Sequence, residues 1–218
     1  MITVKCPECF NEIEPTDRYC KHCGAKQRIV FASPLEKRPS TEYIVLCHMG
    51  MTDIDSLEEA HAEALRKKRA GFEFHYFIDK EGNIQQGRPL PAKGAFAREM
   101  NGKAIGVCFA GDLTKETMTD AQVSDDVILL LWLLGSTYNA SFCFFDELEN
   151  HKNPIPGFRR EEIWKGLRKR DDIYEDEHHR GEWAVIHMNE WLDSRCCDFG
   201  IRPNPFDPFG DAFTDEEE

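Results

Sequence analysis

Four cysteines near the amino terminus have the spacing of a metal site. They form two C-x-x-C pairs, Cys6 with Cys9 and Cys20 with Cys23, separated by ten residues. Each pair, when a tight turn follows it, can present two thiolates to one metal ion, and two such pairs complete a tetrahedral zinc site. The segment is poor in apolar residues, so metal binding would have to supply its folding free energy. We therefore predict a structural zinc ribbon over residues 1–25.

Two alternatives for these cysteines are a free-thiol or redox role and a mixed ligand set. The chain has nine cysteines, an odd number, and its first residues, MITVKCPECF, lack an apolar signal-peptide core. We therefore expect a cytoplasmic protein, in which metal binding is more common than disulfide formation. His22, between the last two cysteines, is an alternative ligand.

A second group of chemically capable residues lies in FFDELENHKNPIPGF, residues 144–158. An apolar run ends at Asp146, carboxylates and a histidine follow, and prolines and a glycine then turn the chain. Loops after buried strands often carry chemistry in α/β proteins. Glu147 and His151 have i, i+4 spacing and would share a face if the loop formed a helical turn. Asp146, Glu147 and His151 are therefore candidate catalytic residues.

The elements that must position these groups alternate between strands and helices. Apolar runs predict strands, and one of them forms a hairpin around the turn KEGN. A helix is predicted from Ser56 to Gly71, in which His61 is expected to be solvated, and another begins at the capping box of Thr119 and Gln122. This alternation predicts an α/β domain with a mixed sheet. The predicted strands are 43–48, 72–79, 84–90, 103–111 and 140–145.

The remaining segments are a linker and a C-terminal extension. Residues 26–41 contain two prolines and are expected to connect the ribbon to the main domain. Residues 166–218 are predicted to contain the end of one helix, a second amphipathic helix at 181–194, and an acidic, proline-rich tail.

Composition excludes several classes of function. The net charge of −13 argues against general nucleic-acid binding, because attraction to phosphates needs a basic surface. The longest apolar run, Val127 to Leu134, is too short to span a membrane.

The order of several motifs resembles the zinc-dependent N-acetylmuramoyl-L-alanine amidases, the type shared by phage lysozyme-like amidases and peptidoglycan recognition proteins. The motifs are FHYFIDKEGNIQQGRPL (74–90), AKGAFA (92–97), NGKAIGVCFAGD (101–112), TDAQ (119–122) and a PGF turn. The resemblance covers roughly residues 42–165. It implies a mixed central sheet flanked by helices and cleavage of the bond between muramic acid and L-alanine.

The resemblance also implies a catalytic zinc ion at the carboxyl ends of the strands. Relatives hold it with a histidine ending the first strand, a histidine ending the last strand, and a cysteine, histidine or aspartate in the following turn. The first position falls on Cys47, with His48 beside it, and the second on Asp146 or Glu147. The turn reads IPGF where relatives read CPGF, and the Ile155 side chain cannot bind a metal.

Two helper positions are also changed. Phe74 replaces a tyrosine and Phe96 replaces a histidine that often faces the site. His75 is retained and is a weak catalytic candidate, although a hydrogen-bonded core histidine is the more common outcome at such a position. Cys108 and Cys143 lie in apolar strands and are expected to be inert core thiols.

Three functions remain open at this point. We favour an amidase-fold protein whose altered zinc site is impaired and that binds a peptidoglycan fragment or a protein partner. The second is an active amidase with a rearranged zinc site built from His48 or Cys47, Asp146 or Glu147, and His151. The third is an adaptor whose zinc ribbon docks onto a larger assembly. A phage product that waits inside the cell until lysis is compatible with each.

Overall fold

The computed structural model describes residues 2–6, 8–148 and 153–173. His151, the helix predicted at 181–194 and the acidic tail lie outside the described residues. The chain begins with a two-stranded antiparallel ribbon, in which β1 (Val4–Lys5) pairs with β2 (Glu12–Ile13).

The main domain is built on a five-stranded mixed sheet with the order β5-β4-β6-β3-β7. Parallel pairs join β6 to both β3 and β4, and β3 to β7, whereas β4 and β5 form an antiparallel hairpin. Parallel strands end at the same edge of a sheet, so this topology gathers the residues that follow β3, β4, β6 and β7. The strands are β3 (Tyr43–His48), β4 (Tyr76–Ile78), β5 (Ile84–Gln86), β6 (Ala104–Phe109) and β7 (Ser141–Phe144).

Helices cover both faces of the sheet. Helix α1 (Leu57–Arg66) packs on one face, where Val45 and Cys47 point, and it begins at a capping box formed by Ser56 and Glu59. Helices α2 (Asp125–Tyr138) and α3 (Arg160–Ile173) cover the other face, where Ile44 and Leu46 point. Side chains alternate along β3 because successive Cβ atoms of a strand point to opposite faces.

Helices α2 and α3 approach each other closely at Gly166. A Cβ atom there would lie 2.9 Å from Cγ2 of Ile128, so glycine permits the contact. The continuous apolar run of α2 is buried between the sheet and α3, which explains why it looks hydrophobic on nearly all sides. Helix α3 runs without a break through residue 165, where we placed the end of the main domain.

The predicted α/β class with a mixed sheet flanked by helices is confirmed. Local details differ from the predictions. The reciprocal hydrogen bonds of Thr119 and Gln122 form, but they close a 3₁₀ turn at Ala121–Val123, and α2 begins only after Ser124. The strand predicted over 72–79 is paired with its neighbours only at Tyr76–Ile78.

The segment predicted as a linker, residues 26–41, packs on the main domain. Phe31 and Leu35 are buried, and Lys37 forms a β-bridge with Ala92. His61 of α1 is not solvated as expected: its Nε2 lies 3.0 Å from the carbonyl oxygen of Val30, and its Nδ1 accepts the Phe72 amide. This histidine therefore joins the linker, α1 and the segment that leads into β4.

In the part of the chain that the structure describes, no helix has the length and hydrophobicity required to cross a lipid bilayer.

Candidate metal centre and sheet-edge site

The four cysteines of the ribbon converge on one point. One sulfur from each of Cys6, Cys9, Cys20 and Cys23 lies within 4.8 Å of the others. The Sγ atoms of Cys6 and Cys23 are 3.6 Å apart, and those of Cys9 and Cys20 are 3.5 Å apart. The sequence therefore predicted the correct cluster, and its four sulfur donors fit a tetrahedral metal ion such as zinc.

The two C-x-x-C segments have the same backbone construction. The amide of Phe10 donates to the Cys6 carbonyl, and the amide of Gly24 donates to the Cys20 carbonyl, at 2.9 and 2.8 Å. Both donors have left-handed backbone conformations, with φ of 59° at Phe10 and 77° at Gly24. Each turn thus brings its two thiols to one side, and this is why C-x-x-C spacing serves metal binding.

Nearby groups stabilise the thiolate of Cys9, whereas burial and the neighbouring thiols raise the pKa of Cys23 to about 12. The Asn11 side chain hydrogen-bonds to Sγ of Cys9 at 3.4 Å and lowers the pKa of that thiol to about 6. The Gln27 amide lies 3.7 Å from Sγ of Cys6, and the His22 backbone amide donates to Sγ of Cys20. Four thiolates fill a tetrahedral shell and leave no position for a substrate, so this chemistry fits a structural ion.

A second site lies at the carboxyl edge of the sheet, which we call the sheet-edge site. It comprises the ends of β3 and β7 and the turn that follows at 154–158. His48 ends β3, and its ring is mostly buried, with 11 % of the side chain exposed. Its Nδ1 accepts a hydrogen bond from the Leu113 amide at 3.1 Å, so the proton of the neutral ring is on Nε2.

The electrostatics of His48 reflect two opposing causes. Burial lowers the pKa of His48, and the carboxylate of Asp112, 4.0 Å from Nδ1, opposes that effect. Asp146 also acts on this ring through space, in the same sense as Asp112. His48 therefore favours the neutral form, which is the form that can bind a metal or accept a proton.

Asp146 is held by an ion pair rather than exposed as a ligand. Its side chain is 2 % exposed and contacts the guanidinium of Arg160 through both oxygens, with 2.6 Å between Arg160 Nη2 and Oδ1. The same carboxylate accepts the backbone amide of Ile155. Arg160 also lies 4.1 Å above the ring of Phe144. The end of β7, the turn and α3 are thus tied together through one carboxylate.

Glu147 is similarly engaged. Its Oε2 accepts the Phe144 amide at 2.8 Å, and its Oε1 lies 3.1 Å from Arg160. The Ile155 side chain is buried in the core beside the sheet. The site therefore contains two carboxylates that share one guanidinium, with an apolar side chain in the turn.

Cys47 points to the opposite face from His48. It is buried in the α1 core, directly beside Cys108 in the sheet register. Burial raises the pKa of the Cys47 thiol well above its ordinary value, and burial does the same for Cys108 and, to about 11, for Cys143. The thiol form is thus favoured at Cys47, whereas a metal ligand must be thiolate.

His75 is fully buried and hydrogen-bonded. Its Nδ1 accepts the Gly106 amide at 3.0 Å, so its Nε2 carries the proton and donates to the Ala92 carbonyl at 2.8 Å. Burial and the nearby Arg38 cation lower the pKa of His75 well below its ordinary value. Phe74 stacks on Phe96, with 5.3 Å between ring centroids. His75 and Phe74 are thus buried, and Phe96 packs against the same core while partly exposed.

In the described part of the chain, the four ribbon cysteines are the one group of three or more histidine, cysteine, aspartate or glutamate side chains that could hold a metal ion. At the sheet-edge site, the described residues do not supply the three ligands of a catalytic ion. His48 and Asp146 come together there, Cys47 does not, and the roles of His48, Asp146, Glu147 and His151 stay predictions. Arg160 was missed, because no spacing rule links a cation in α3 to a carboxylate after β7.

Comparisons with known proteins agree with this architecture. A family model described as N-acetylmuramoyl-L-alanine amidase matches residues 36–141, slightly less than half of the chain. Peptidoglycan-recognition protein SC2 of Drosophila melanogaster is 31 % identical over 74 residues. That match covers 34 % of this chain and 39 % of the fly protein, so the chain spans about two fifths of the length of the curated relatives it matches.

Solved structures extend the comparison to most of the sheet domain. N-acetylmuramoyl-L-alanine amidase LysC from Clostridium intestinale URNW superposes with a TM-score of 0.58 and 26 % identity, over 64 % of this chain and 93 % of that chain. Bumblebee PGRP-SA superposes with a TM-score of 0.53 at 14 % identity, over 61 % of this chain and 86 % of the bumblebee chain. This likeness concerns the fold alone. The chain therefore has the amidase and peptidoglycan-recognition fold, and these findings support a relationship to the amidase family.

Proposed function

We propose that this protein is a peptidoglycan-fragment-binding member of the amidase fold whose catalytic metal centre is altered and impaired, with a zinc ion held by the ribbon. The ion pair of Arg160 with Asp146 carries this proposal. A fixed cation beside a carboxylate disfavours the approach of a divalent cation to the same oxygens, because like charges repel.

The chemistry of amide hydrolysis explains why this arrangement matters. A catalytic zinc ion needs three protein ligands and an open position for water. The Ile155 side chain provides no metal-ligating atom in the turn. The carboxylate oxygens of Asp146 accept hydrogen bonds from Arg160 and from the Ile155 amide. His48 remains a neutral, partly accessible ring, which suits a hydrogen bond to a bound amide rather than a complete metal site.

Metal content combined with a hydrolysis assay tests the proposal. Purified full-length protein should contain one zinc per chain, and the Cys6→Ser/Cys9→Ser variant should contain none. With added zinc, neither protein should release peptide from muropeptides. Calorimetry should nevertheless detect muropeptide binding to the full-length protein, and alanine at His48 should weaken that binding.

Two outcomes would decide for other functions. Two zinc ions per chain, one of them surviving the cysteine changes, together with released peptide, would support an active amidase with a rearranged site. An absence of muropeptide binding would favour the adaptor. The ribbon does display two of the three large, well-exposed hydrophobic side chains of the described residues, Phe10 and Tyr19.

A cytoplasmic location belongs to the same proposal. Thiolate metal sites persist in reducing compartments, where the available ligands would be recycled muropeptide fragments. A phage product held inside the cell until lysis would meet the intact wall later.

A further inference from the structure

A groove runs between α2, α3 and the edge strand β7, away from both sites described above. Its apolar lining includes the partly exposed rings of Phe142 and Trp164 and the buried side chain of Leu167. Arg168 and Asp171 of α3 form its polar rim, and the indole nitrogen of Trp132 donates to Asp171 at 3.0 Å. The groove has a volume of about 320 Å³.

We propose that this groove is the docking site of the chain's own segment 181–194, which would lie antiparallel to α3 as a fourth helix. The segment reads GEWAVIHMNEWLDS. Five of its seven apolar residues fall at helical spacing on one face, which is typical of a helix that packs against another. That face comprises Ala184, Val185, Met188, Trp191 and Leu192.

Chain length and position favour this occupant over a separate partner. Helix α3 is described to Ile173, two residues beyond the groove residue Asp171. Seven residues, 174–180, separate it from the segment and can span up to about 24 Å. A helix of 14 residues is about 21 Å long, so the segment matches α3 in length and can return along it.

Charge complementarity points the same way. Residues 174–218 carry thirteen carboxylates and three arginines. Residues 165–170 of α3 carry four cations, and one of them lines the groove, Arg168; the others are Lys165, Lys169 and Arg170. An acidic segment is thus tethered beside this group of cations, which raises its local concentration there.

Hydrogen exchange on the full-length protein tests the proposal. Met188→Asp/Leu192→Asp places two charges on the apolar face, and Asn189→Asp/Ser194→Asp places two outside that face as a matched control. We expect the first variant to accelerate exchange in both 181–194 and Trp164–Ile173 by about tenfold or more, because local opening then becomes less costly. The control should leave both segments protected.

A groove-side change provides a second measurement. Arg168→Glu reverses an exposed rim charge and should also deprotect 181–194. Exchange of 181–194 in the wild type at the rate of an unstructured chain would overturn the proposal. The proposal would also be overturned if Met188→Asp/Leu192→Asp left the hydrogen-exchange protection of α3 unchanged. Protection that disappears on dilution, with a dimer in size-exclusion chromatography, would assign the groove to a second copy instead.

Discussion

Arg160 has the largest consequence of any single side chain at the sheet-edge site. It neutralises Asp146 and Glu147, and it covers the ring of Phe144. A buried carboxylate that loses its cation retains the cost of leaving water without the compensating attraction. The residue thus determines both the stability of the strand end and the availability of the two carboxylates.

We predict that Arg160→Met lowers the free energy of unfolding by about 3 kcal/mol, measured by urea denaturation. The neighbouring Arg159→Met is a matched control, because Arg159 pairs with the exposed carboxylates of Asp120 and Glu162 and should cost less than about 1 kcal/mol. The double variant Arg160→Met/Asp146→Asn should be more stable than Arg160→Met alone. Equal losses at Arg159 and Arg160 would contradict the prediction.

At the scale of elements, the turn after β7 is fixed by its contact with the loop after β6. The Gly157 amide donates to the Leu113 carbonyl, and the Met118 amide donates to the Gly157 carbonyl. A Cβ atom at Gly157 would lie 2.0 Å from the backbone oxygen of Glu116 and 2.5 Å from that of Leu113. The same loop supplies the Leu113 amide that orients His48, so this contact links the two halves of the sheet-edge site.

Gly157→Ala should therefore destabilise the protein by about 3 kcal/mol, since backbone atoms cannot rotate away from the added methyl group. Gly102→Ala is the matched control: its nearest neighbour would be a Pro39 side-chain atom at 3.7 Å, and we expect a change within about 0.5 kcal/mol. Thermal unfolding of both variants measures the difference. A Gly157→Ala protein as stable as Gly102→Ala would show that the turn is not held against the loop.

For the molecule as a whole, buried neutral histidines that connect separate layers make the free energy of unfolding depend on pH. Burial lowers the pKa of His61, which joins the linker to α1, and of His75, which joins β6 to the loop at Ala92. As the pH falls, these two histidines become protonated near pH 6.5 in the unfolded chain but only at a lower pH in the folded chain. Their contribution to stability is therefore present above about pH 6.5 and is lost as the pH falls below it.

We predict that the free energy of unfolding decreases as the pH is lowered from 7.5 to 5, with zinc present throughout. Glu73 acts in the opposite sense over the lower part of this range, because burial raises the pKa of its carboxyl group. His61→Gln isolates one contribution: its stability should depend less on pH than that of the wild type. Parallel pH profiles for the two proteins would exclude His61 as a source of the effect.

The alternation of strands and helices and the cysteine cluster could be predicted from the sequence. Apolar runs and their spacing specify strands and helices locally, and C-x-x-C spacing places two thiols on one turn. The sequence also identified the departures from the amidase pattern, because an isoleucine side chain such as that of Ile155 has no atom that can bind a metal in any structural context. The convergence of two thiols in a C-x-x-C turn and the period of a strand depend on residues a few positions apart, so both can be inferred from the sequence.

The contacts of the site residues could not be predicted from the sequence. Cys47 and His48 are adjacent in sequence, yet the pleat of β3 sends one into the α1 core and the other to the sheet edge. Arg160 reaches Asp146 because the turn and α3 fold back over β7, which no local pattern specifies. His61 is buried by a linker that is 31 residues away in sequence at its contact with Val30. Contacts between distant segments depend on how the layers pack. Because of that packing, the candidate ligand Asp146 forms an ion pair with Arg160, and the candidate ligand Cys47 is buried in the core.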